Sequence, residues 1–152
     1  MKRFLKFLGV LVLAIVALGV FATFHVPGHL WIKTRTFADC PARPSCVSSA
    51  AADEVHRIEP LAYAGDLAAA RTRMEALLRA MPRVTIEDAT PEYLHAVFQT
   101  EKMHFHDDVE LLFEPGGKIQ VRSISRFGYR DHGVNRARVE ELRAMWQALQ
   151  GV

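Results

Sequence analysis

The sequence predicts an α+β fold: a two-layer domain with a four-stranded antiparallel sheet covered on one face by two helices, preceded by an N-terminal transmembrane helix. Three observations predict it. The chain opens on an uninterrupted apolar run, two later segments carry one apolar stripe at helical spacing, and four short segments between them alternate apolar and polar residues. Because such helices and strands each bury one face, the helices are expected to pack on one side of the sheet in two layers.

The N-terminal segment, residues 1–24, has the charge pattern of a membrane anchor or an export signal. Lys2, Arg3 and Lys6 precede the eighteen uncharged residues 7–24. At about 1.5 Å per residue, these form roughly 27 Å of helix, close to the ~30 Å hydrocarbon core of a bilayer. A cleaved signal peptide is the alternative, but its apolar region usually has only about 7–15 residues. We therefore favour an uncleaved, single-pass anchor in the cytoplasmic membrane.

The cations in front of the apolar run predict a cytoplasmic N-terminus and export of everything that follows. Residues 25–39 form a linker, and residues 40–152 an extracytoplasmic domain in the periplasm or an equivalent space of the cell envelope. Cys40 and Cys46 enclose a five-residue loop with two prolines. In an oxidising compartment such a pair is most simply a local disulfide bond, with free thiols or redox or metal chemistry as alternatives.

The charge balance gives no support to nucleic acid as a partner. The formal net charge is +2, but residues 1–33 hold four cations and no acidic residue, which leaves the rest of the chain at about −2.

Two helices and four strands are predicted within the domain. The first helix, residues 66–81, begins with Asp66 as its N-cap and ends at Pro82. The second, residues 136–150, follows Asn135 as its cap. The residues of the strands that alternate toward the core are Val84 and Ile86, then Leu94, Ala96 and Phe98, then Val109, Leu111 and Phe113, and finally Ile119 and Val121.

The last two strands form a hairpin whose register follows from the residues. A three-residue loop, residues 115–117, places Glu110 opposite Arg122 and keeps the apolar residues of both strands on one face. A two-residue loop would bring Gln120 onto the face of Phe113 and bury a polar side chain in the core. We therefore predict the three-residue loop.

Charged and polar side chains are dense in this hairpin and in the loop after it. Asp107 alternates inward, and a carboxylate near the core needs a partner, which either Arg126 or the Gly-rich loop of residues 128–133 could provide. We expect a structural ion-pair network, and the alternative is a site for an anion at the start of the last helix. The candidate binding residues are Asp107, Arg122, Arg126, Tyr129, Asp131, Asn135 and Arg136. Four of them are expected to converge, namely Asp107, Arg126, Asp131 and Asn135.

The outward face of the same strand suggests a metal site as a second possibility. His104, His106, Asp108 and Glu110 alternate onto one face, and imidazole and carboxylate groups in a row are ligands for a divalent metal. The alternative is a solvated face on which Glu110 pairs with Arg122.

Three motifs in this region resemble a known family. Residues 40–49 read CPARPSCVSS, residues 107–110 DDVE and residues 122–143 RSISRFGYRDHGVNRARVEELR. They resemble the signature of the domain of unknown function 1499 family, CPxxPxCVSS, DDVE and RSxSRxGYxDxGVNRxRVExLR, over roughly residues 38–149. The resemblance implies no activity, and the family pattern does not include both histidines of the suggested metal site.

No catalytic constellation emerges from the sequence. Ser48, Ser49, Ser123 and Ser125 are candidate nucleophiles and His132 a candidate base, but no G-x-S-x-G motif is present. We expect a non-enzymatic binding or assembly module of the cell envelope that needs no cofactor, with the membrane and an envelope protein or anionic ligand as partners. The alternative is an envelope hydrolase or metal-dependent enzyme that uses the His104, His106, Asp108 and Glu110 face.

Overall fold

The computed structural model describes residues 2–24 and 36–151 of the 152-residue chain. In chain order the helices and strands of these residues are α1 (Lys2–Phe24), β1 (Cys46–Ser48), β2 (Leu61–Ala62), α2 (Leu67–Ala80), β3 (Val84–Ala89), β4 (Tyr93–Gln99), β5 (His106–Glu114), β6 (Lys118–Ser125) and α3 (Val134–Gln150). Most of the predicted linker falls on residues 25–35, which lie outside the described residues.

One antiparallel sheet contains all six of these strands, in the order β1-β6-β5-β4-β3, with β2 also paired to β6. Cys46 of β1 lies opposite Ile124 and Leu61 of β2 lies opposite Ile119, so both short strands run along the same edge of β6. The predicted four-stranded sheet is therefore wrong in its strand count. With three residues in β1 and two in β2, neither strand is long enough for an alternating pattern to show.

The hairpin of β5 and β6 has the predicted register. Residues 115–117 form its loop, Glu114 lies opposite Lys118, and Glu110 lies opposite Arg122. Because successive side chains of a strand point to opposite faces, this register decides which charged groups of the hairpin face the helices.

The main hydrophobic core lies between the sheet and the helices α2 and α3. The N-cap of α2 is Asp66, as predicted, and its carboxylate accepts a hydrogen bond from Ala69 N at 2.8 Å. Each helix buries one apolar stripe. The buried helical residues of this core are Ala70, Met74, Leu78, Val139, Leu142 and Trp146, and they pack with Leu94, Ala96, Val109, Leu111, Phe113, Ile119 and Val121 of the sheet.

The other face of the sheet is also buried, which corrects the prediction of a sheet covered on one face. Phe37 packs with Tyr93 and Leu112 in a second, smaller hydrophobic cluster. Glu110 and Arg122, expected on a solvated face, are fully buried. The polarity of these side chains suggested solvent, but charged groups that pair with one another can be buried together.

The predicted transmembrane helix is wrong. In the part of the chain that the structure describes, no helix has both the length and the apolar character needed to cross a membrane. Helix α1 begins at Lys2 and so includes Arg3 and Lys6. The first five residues of this helix therefore include three cations, which are costly to place in hydrocarbon. The predicted location is wrong for the same reason: it was a single-pass protein of the cytoplasmic membrane with its N-terminus inside and its domain in the periplasm or extracytoplasmic space.

The two glycines of the hairpin loop provide a matched test of backbone strain and steric contact. Gly116 and Gly117 both have positive φ angles, of 94° and 85°. A Cβ atom on Gly116 would meet no atom within 4 Å, whereas one on Gly117 would lie 2.6 Å from Tyr63 O. We expect Gly116→Ala to lower the free energy of unfolding by about 1–2 kcal/mol through strain. Gly117→Ala should lower it by a further ~1–3 kcal/mol through the clash.

Urea unfolding of both variants measures the difference. Equal losses of stability would contradict the close approach of Gly117 to Tyr63.

Candidate functional site

Asp107 faces the helices, and its partner is Arg138 of α3 rather than Arg126. Arg138 Nη2 donates to Asp107 Oδ2 at 2.5 Å, and both side chains are more than nine-tenths buried. The Arg138 guanidinium also lies over the Phe98 ring, 5.1 Å from its centroid. Arg126 cannot take this role, since Ser125 lies opposite Asp107 and the next residue along points to the other face.

Asn135 connects this ion pair to the segments around it. Its Oδ1 accepts hydrogen bonds from Arg138 Nη1 at 2.7 Å and from Ser123 Oγ at 2.6 Å. Its Nδ2 donates to Asp131 Oδ2 at 2.8 Å and to Ser45 O at 3.0 Å. The side chain is fully buried. A buried amide with both polar atoms bonded fixes the position of its helix, because any shift would leave a buried group unpaired.

Asn135 is not the N-cap of α3, which corrects the prediction. The N-cap is Gly133, with a φ of 81°. The Asp131 carboxylate accepts hydrogen bonds from Gly133 N at 3.1 Å and from Asn135 N at 2.8 Å. The left-handed conformation of Gly133 turns the chain so that Asp131, rather than Asn135, meets the free N–H groups of the first turn.

Arg126 lies on the opposite face of the sheet, where it binds Asp108. Its Nε and Nη2 donate to the two oxygens of Asp108 at 2.9 and 2.7 Å, and His95 Nε2 donates to Asp108 Oδ1 at 2.8 Å. Burial raises the pKa of Asp108, but the hydrogen bonds from His95 and Arg126 outweigh it and hold that pKa below its usual range. Asp108 is therefore ionised, and both of its oxygens already accept hydrogen bonds.

Glu110 and Arg122 form a second buried pair beside it. Arg122 Nη1 donates to Glu110 Oε2 at 2.8 Å, and Tyr93 OH donates to Glu110 Oε1 at 2.8 Å. Burial, together with the Glu110 carboxylate, raises the pKa of Tyr93 above its usual range, so the phenol keeps its proton and donates. Two other nitrogens of Arg122, Nε and Nη2, are buried without a hydrogen-bond partner among the described atoms.

The suggested metal ligands do not converge. His104 is exposed with a φ of 53°, in the turn before β5, so it does not continue the alternation of the strand. His106 Nε2 lies 3.2 Å from Gln99 Nε2. Asp108 and Glu110 are paired with Arg126 and Arg122. Within residues 2–24 and 36–151, no three His, Cys, Asp or Glu side chains are grouped so that they could hold a metal ion.

The remaining candidates lie toward the surface. Tyr129 is 68% exposed. Arg136 Nη2 donates to Val55 O at 3.1 Å. Of the four residues expected to converge, Asp107, Asp131 and Asn135 belong to one hydrogen-bonded network, and Arg126 does not.

A cavity of about 230 Å³ opens next to this network, between the end of the hairpin and the start of α3. Its apolar wall is formed by Phe105, Phe127 and Val134, and the centroids of the two rings are 5.6 Å apart. Its polar and backbone lining consists of Thr100, Asp107, Ser125, Gly128, Arg130, Asp131 and His132. The cavity thus combines two aromatic rings with a buried carboxylate.

Asp107 offers the cavity an open acceptor. Its Oδ2 accepts a hydrogen bond from Arg138. No hydrogen bond to its Oδ1 is found among the described residues, and Oδ1 is not completely buried. The two oxygens of Asp131, by contrast, are both used by backbone or amide N–H groups.

The loop closed by a disulfide bond holds one wall of the cavity. Cys40 and Cys46 are bonded, with an S–S distance of 2.03 Å, which confirms that prediction. Within their loop, Arg43 donates to Gly128 O and to Ser125 O, both at 2.9 Å. Ser45 O accepts from Ser125 N at 3.0 Å. The wall formed by residues 125–128 is therefore bonded to the disulfide loop at three points.

Arg138 is the residue that sequence reasoning missed. It lies three positions after Asn135, one helical turn along the same face, and next to the buried Val139. That spacing placed a charged residue beside the predicted apolar stripe, a signal that could have pointed to a buried partner. Ser45 and Ser123 carried no comparable signal, because their roles depend on segments far apart in the chain.

Removal of Arg138 tests the pair with Asp107. We expect Arg138→Ala to lower the free energy of unfolding by about 3–5 kcal/mol, because a buried carboxylate would lose its partner. The control is Arg136→Ala. Among the described residues the Arg136 side chain donates a hydrogen bond to Val55 O at the surface, and its removal should change stability by no more than about 0.5 kcal/mol. Denaturant titration compares the two. Similar stability of both variants would contradict a structural role for the pair.

The lowered pKa of Asp108 predicts a pH-dependent contribution to stability. Because the folded-state pKa lies below the ordinary value of 3.8, ionised Asp108 contributes fully above pH ~4, and the contribution is lost as the pH falls through the folded-state pKa. Asp108→Asn should therefore destabilise most at neutral pH, and the gap to the unaltered protein should narrow below pH ~4. Urea unfolding between pH 7 and pH 3 measures it, with the exposed Glu101→Gln as control. A gap independent of pH would refute the assignment.

Comparison with known proteins places the chain in a family. No curated protein and no solved structure shows significant similarity to it. The family model described as a protein of unknown function (DUF1499) matches residues 36–145, which include both polar layers of the sheet, the disulfide loop and the cavity. The match covers most of the chain and confirms the resemblance carried by the three motifs. The chain belongs to the domain of unknown function 1499 family.

Proposed function

We propose that this domain is a non-enzymatic binding module whose ligand occupies the cavity between the end of the β5–β6 hairpin and the start of α3. One observation carries the proposal: two phenylalanine rings line the same cavity as Asp107, whose Oδ1 has no hydrogen-bond donor among the described residues. Ligand sites usually combine an apolar wall with a few polar groups that orient the bound molecule.

Hydrogen bonds from neighbouring segments hold the walls of the cavity in place. Arg43 and Ser45 bond to residues 125–128 from the disulfide loop, and Asn135 holds the start of α3. Preformed walls reduce the entropy that binding would otherwise cost. The site therefore requires little rearrangement to accept a ligand.

The contacts of the polar lining favour binding over hydrolysis. Ser125 Oγ is hydrogen-bonded to Asn135 Nδ2 at 2.9 Å, and no histidine is bonded to it in the described residues. A serine nucleophile needs an adjacent base that removes its proton. His132 lines the same cavity but is exposed, and no hydrogen bond orients it in the described part of the chain.

The positions of the arginines bear on the kind of ligand. Arg122 and Arg126, two of the arginines among the candidate binding residues, are bonded to Glu110 and Asp108 on the opposite face of the sheet. Arg130 lines the cavity but is exposed. The buried charge that faces the cavity is the carboxylate of Asp107. These contacts support a ligand that donates hydrogen bonds more than an anionic one.

A bulky side chain at the mouth of the cavity tests the proposal. Val134 lines the cavity and is 42% exposed, so Val134→Trp should fill the cavity with little effect on the core. We expect 2-phenylethanol, used as a neutral aromatic probe, to shift the amide NMR signals of Phe105, Phe127 and Gly128 saturably. In Val134→Trp these shifts should fall at least about tenfold, because the volume is occupied.

The matched control is Val55→Trp, since Val55 is also an exposed valine (64%) and does not line this cavity. It should bind the probe as the unaltered protein does. Shifts that are absent in the unaltered protein, or that persist unchanged in Val134→Trp, would contradict a ligand site at this position.

A further inference from the structure

We infer that the ligand of this cavity carries a primary ammonium group, which donates to Oδ1 of Asp107 while its apolar stem lies against Phe105 and Phe127. The inference rests on the proposed binding function and specifies the chemistry that the site selects. Three features of the cavity support it: an open hydrogen-bond acceptor, the charge next to that acceptor, and the aromatic wall.

The open hydrogen-bonding capacity of the cavity is that of an acceptor. Asp107 Oδ1 has no donor among the described residues, while Oδ2 is bonded to Arg138. The Asp131 oxygens are already bonded to N–H groups at the start of α3. An ionised carboxylate oxygen can only accept, so a ligand that complements it must donate.

The charges around the cavity are arranged unevenly. Arg138 approaches Asp107 from α3 and lines a neighbouring cavity rather than this one. The cation that does line this cavity, Arg130, is exposed and can keep its hydration. A ligand group next to Asp107 Oδ1 therefore lies against a carboxylate oxygen, because Arg138 is bonded to the other oxygen. A carboxylate or phosphate group would be placed against a like charge at this position, whereas an ammonium group would be placed against an opposite one.

The aromatic wall suits the same group. The rings of Phe105 and Phe127 are 5.6 Å apart and tilted by 41° to each other. A cation next to aromatic faces is attracted by their electron density, and the methylene groups beside it pack on the same rings. The cavity volume of about 230 Å³ is below the roughly 300–1,000 Å³ of sites for drug-sized ligands. The ligand is therefore a small amine or the end of an amine-bearing side chain.

Three probes of similar size separate the possible chemistries. 2-Phenylethylamine carries the ammonium group, 2-phenylethanol replaces it with a hydroxyl, and phenylacetate replaces it with a carboxylate. Titrations of the full chain at neutral pH, followed by the NMR signals of the cavity residues, provide the three dissociation constants. Probes are preferred to Asp107→Asn, because that variant would also remove the partner of Arg138 and destabilise the fold.

We expect the ammonium probe to bind with a Kd about tenfold lower than that of the alcohol, equivalent to about 1.4 kcal/mol. Phenylacetate should bind more weakly than the alcohol. In Val134→Trp the NMR shifts caused by every probe should fall at least about tenfold, and in Val55→Trp the order of affinities should be unchanged. Equal or tighter binding of the alcohol or of phenylacetate at the cavity would overturn this inference and leave the binding function standing. No binding of any probe would overturn both.

A fourth titration with Nα-acetyl-lysine amide identifies the source of the ammonium group. Binding of this probe at the cavity with an affinity near that of 2-phenylethylamine supports recognition of a lysine side chain on a partner protein. Preference for 2-phenylethylamine alone supports a free small amine. In both outcomes the tighter probe is a cation, as the inference requires.

Discussion

The buried contacts of Asn135 set the position of the last helix on the sheet, and the candidate site depends on that position. The amide joins α3 to β6 through Ser123, to the disulfide loop through Ser45 O and to the preceding loop through Asp131. Through Arg138 it also reaches Asp107 on β5. Burying any of these polar groups without its hydrogen-bond partner would cost stability. These contacts hold α3 and four other segments in one arrangement, and the cavity lies between the end of the hairpin and the start of α3.

The sheet carries a polar layer on each face, and the alternation of side chains along β5 explains how. Asp107 points to α3 and Asp108 points away, so two adjacent carboxylates bind arginines on opposite faces. Glu110 follows Asp108 onto the second face and binds Arg122. Buried ion pairs contribute little net stability relative to apolar residues of the same volume, but loss of one partner is costly. A shifted register would separate these partners, so the ion pairs favour a single strand register.

The ion pair of Asp107 with Arg138 determines which polar atom remains open to the cavity. Because Arg138 uses one oxygen of Asp107, the other oxygen remains for the cavity, beside the rings of Phe105 and Phe127. The wall on the hairpin side is held by Arg43 from within the disulfide loop. A motif near the start of the domain and a motif near its end thus form one site. The segments around residues 40–49 and 122–143 therefore both determine the shape of the cavity.

Helices α2 and α3, strands β3 to β6 and the hairpin register followed from the sequence, because the spacing of apolar residues within ten to twenty positions decides them. The disulfide bond was predicted from the short spacing of its cysteines together with the expected export of the domain. The partner of Asp107 could not be found in this way, because Arg138 lies 31 residues away and is one of several arginines in the region. Strands β1 and β2, the burial of the second sheet face and the cavity likewise depend on how distant segments pack. Local spacing determines which elements form and how the hairpin pairs, while ion-pair partners and cavities exist only once α3 and the disulfide loop are docked on the sheet.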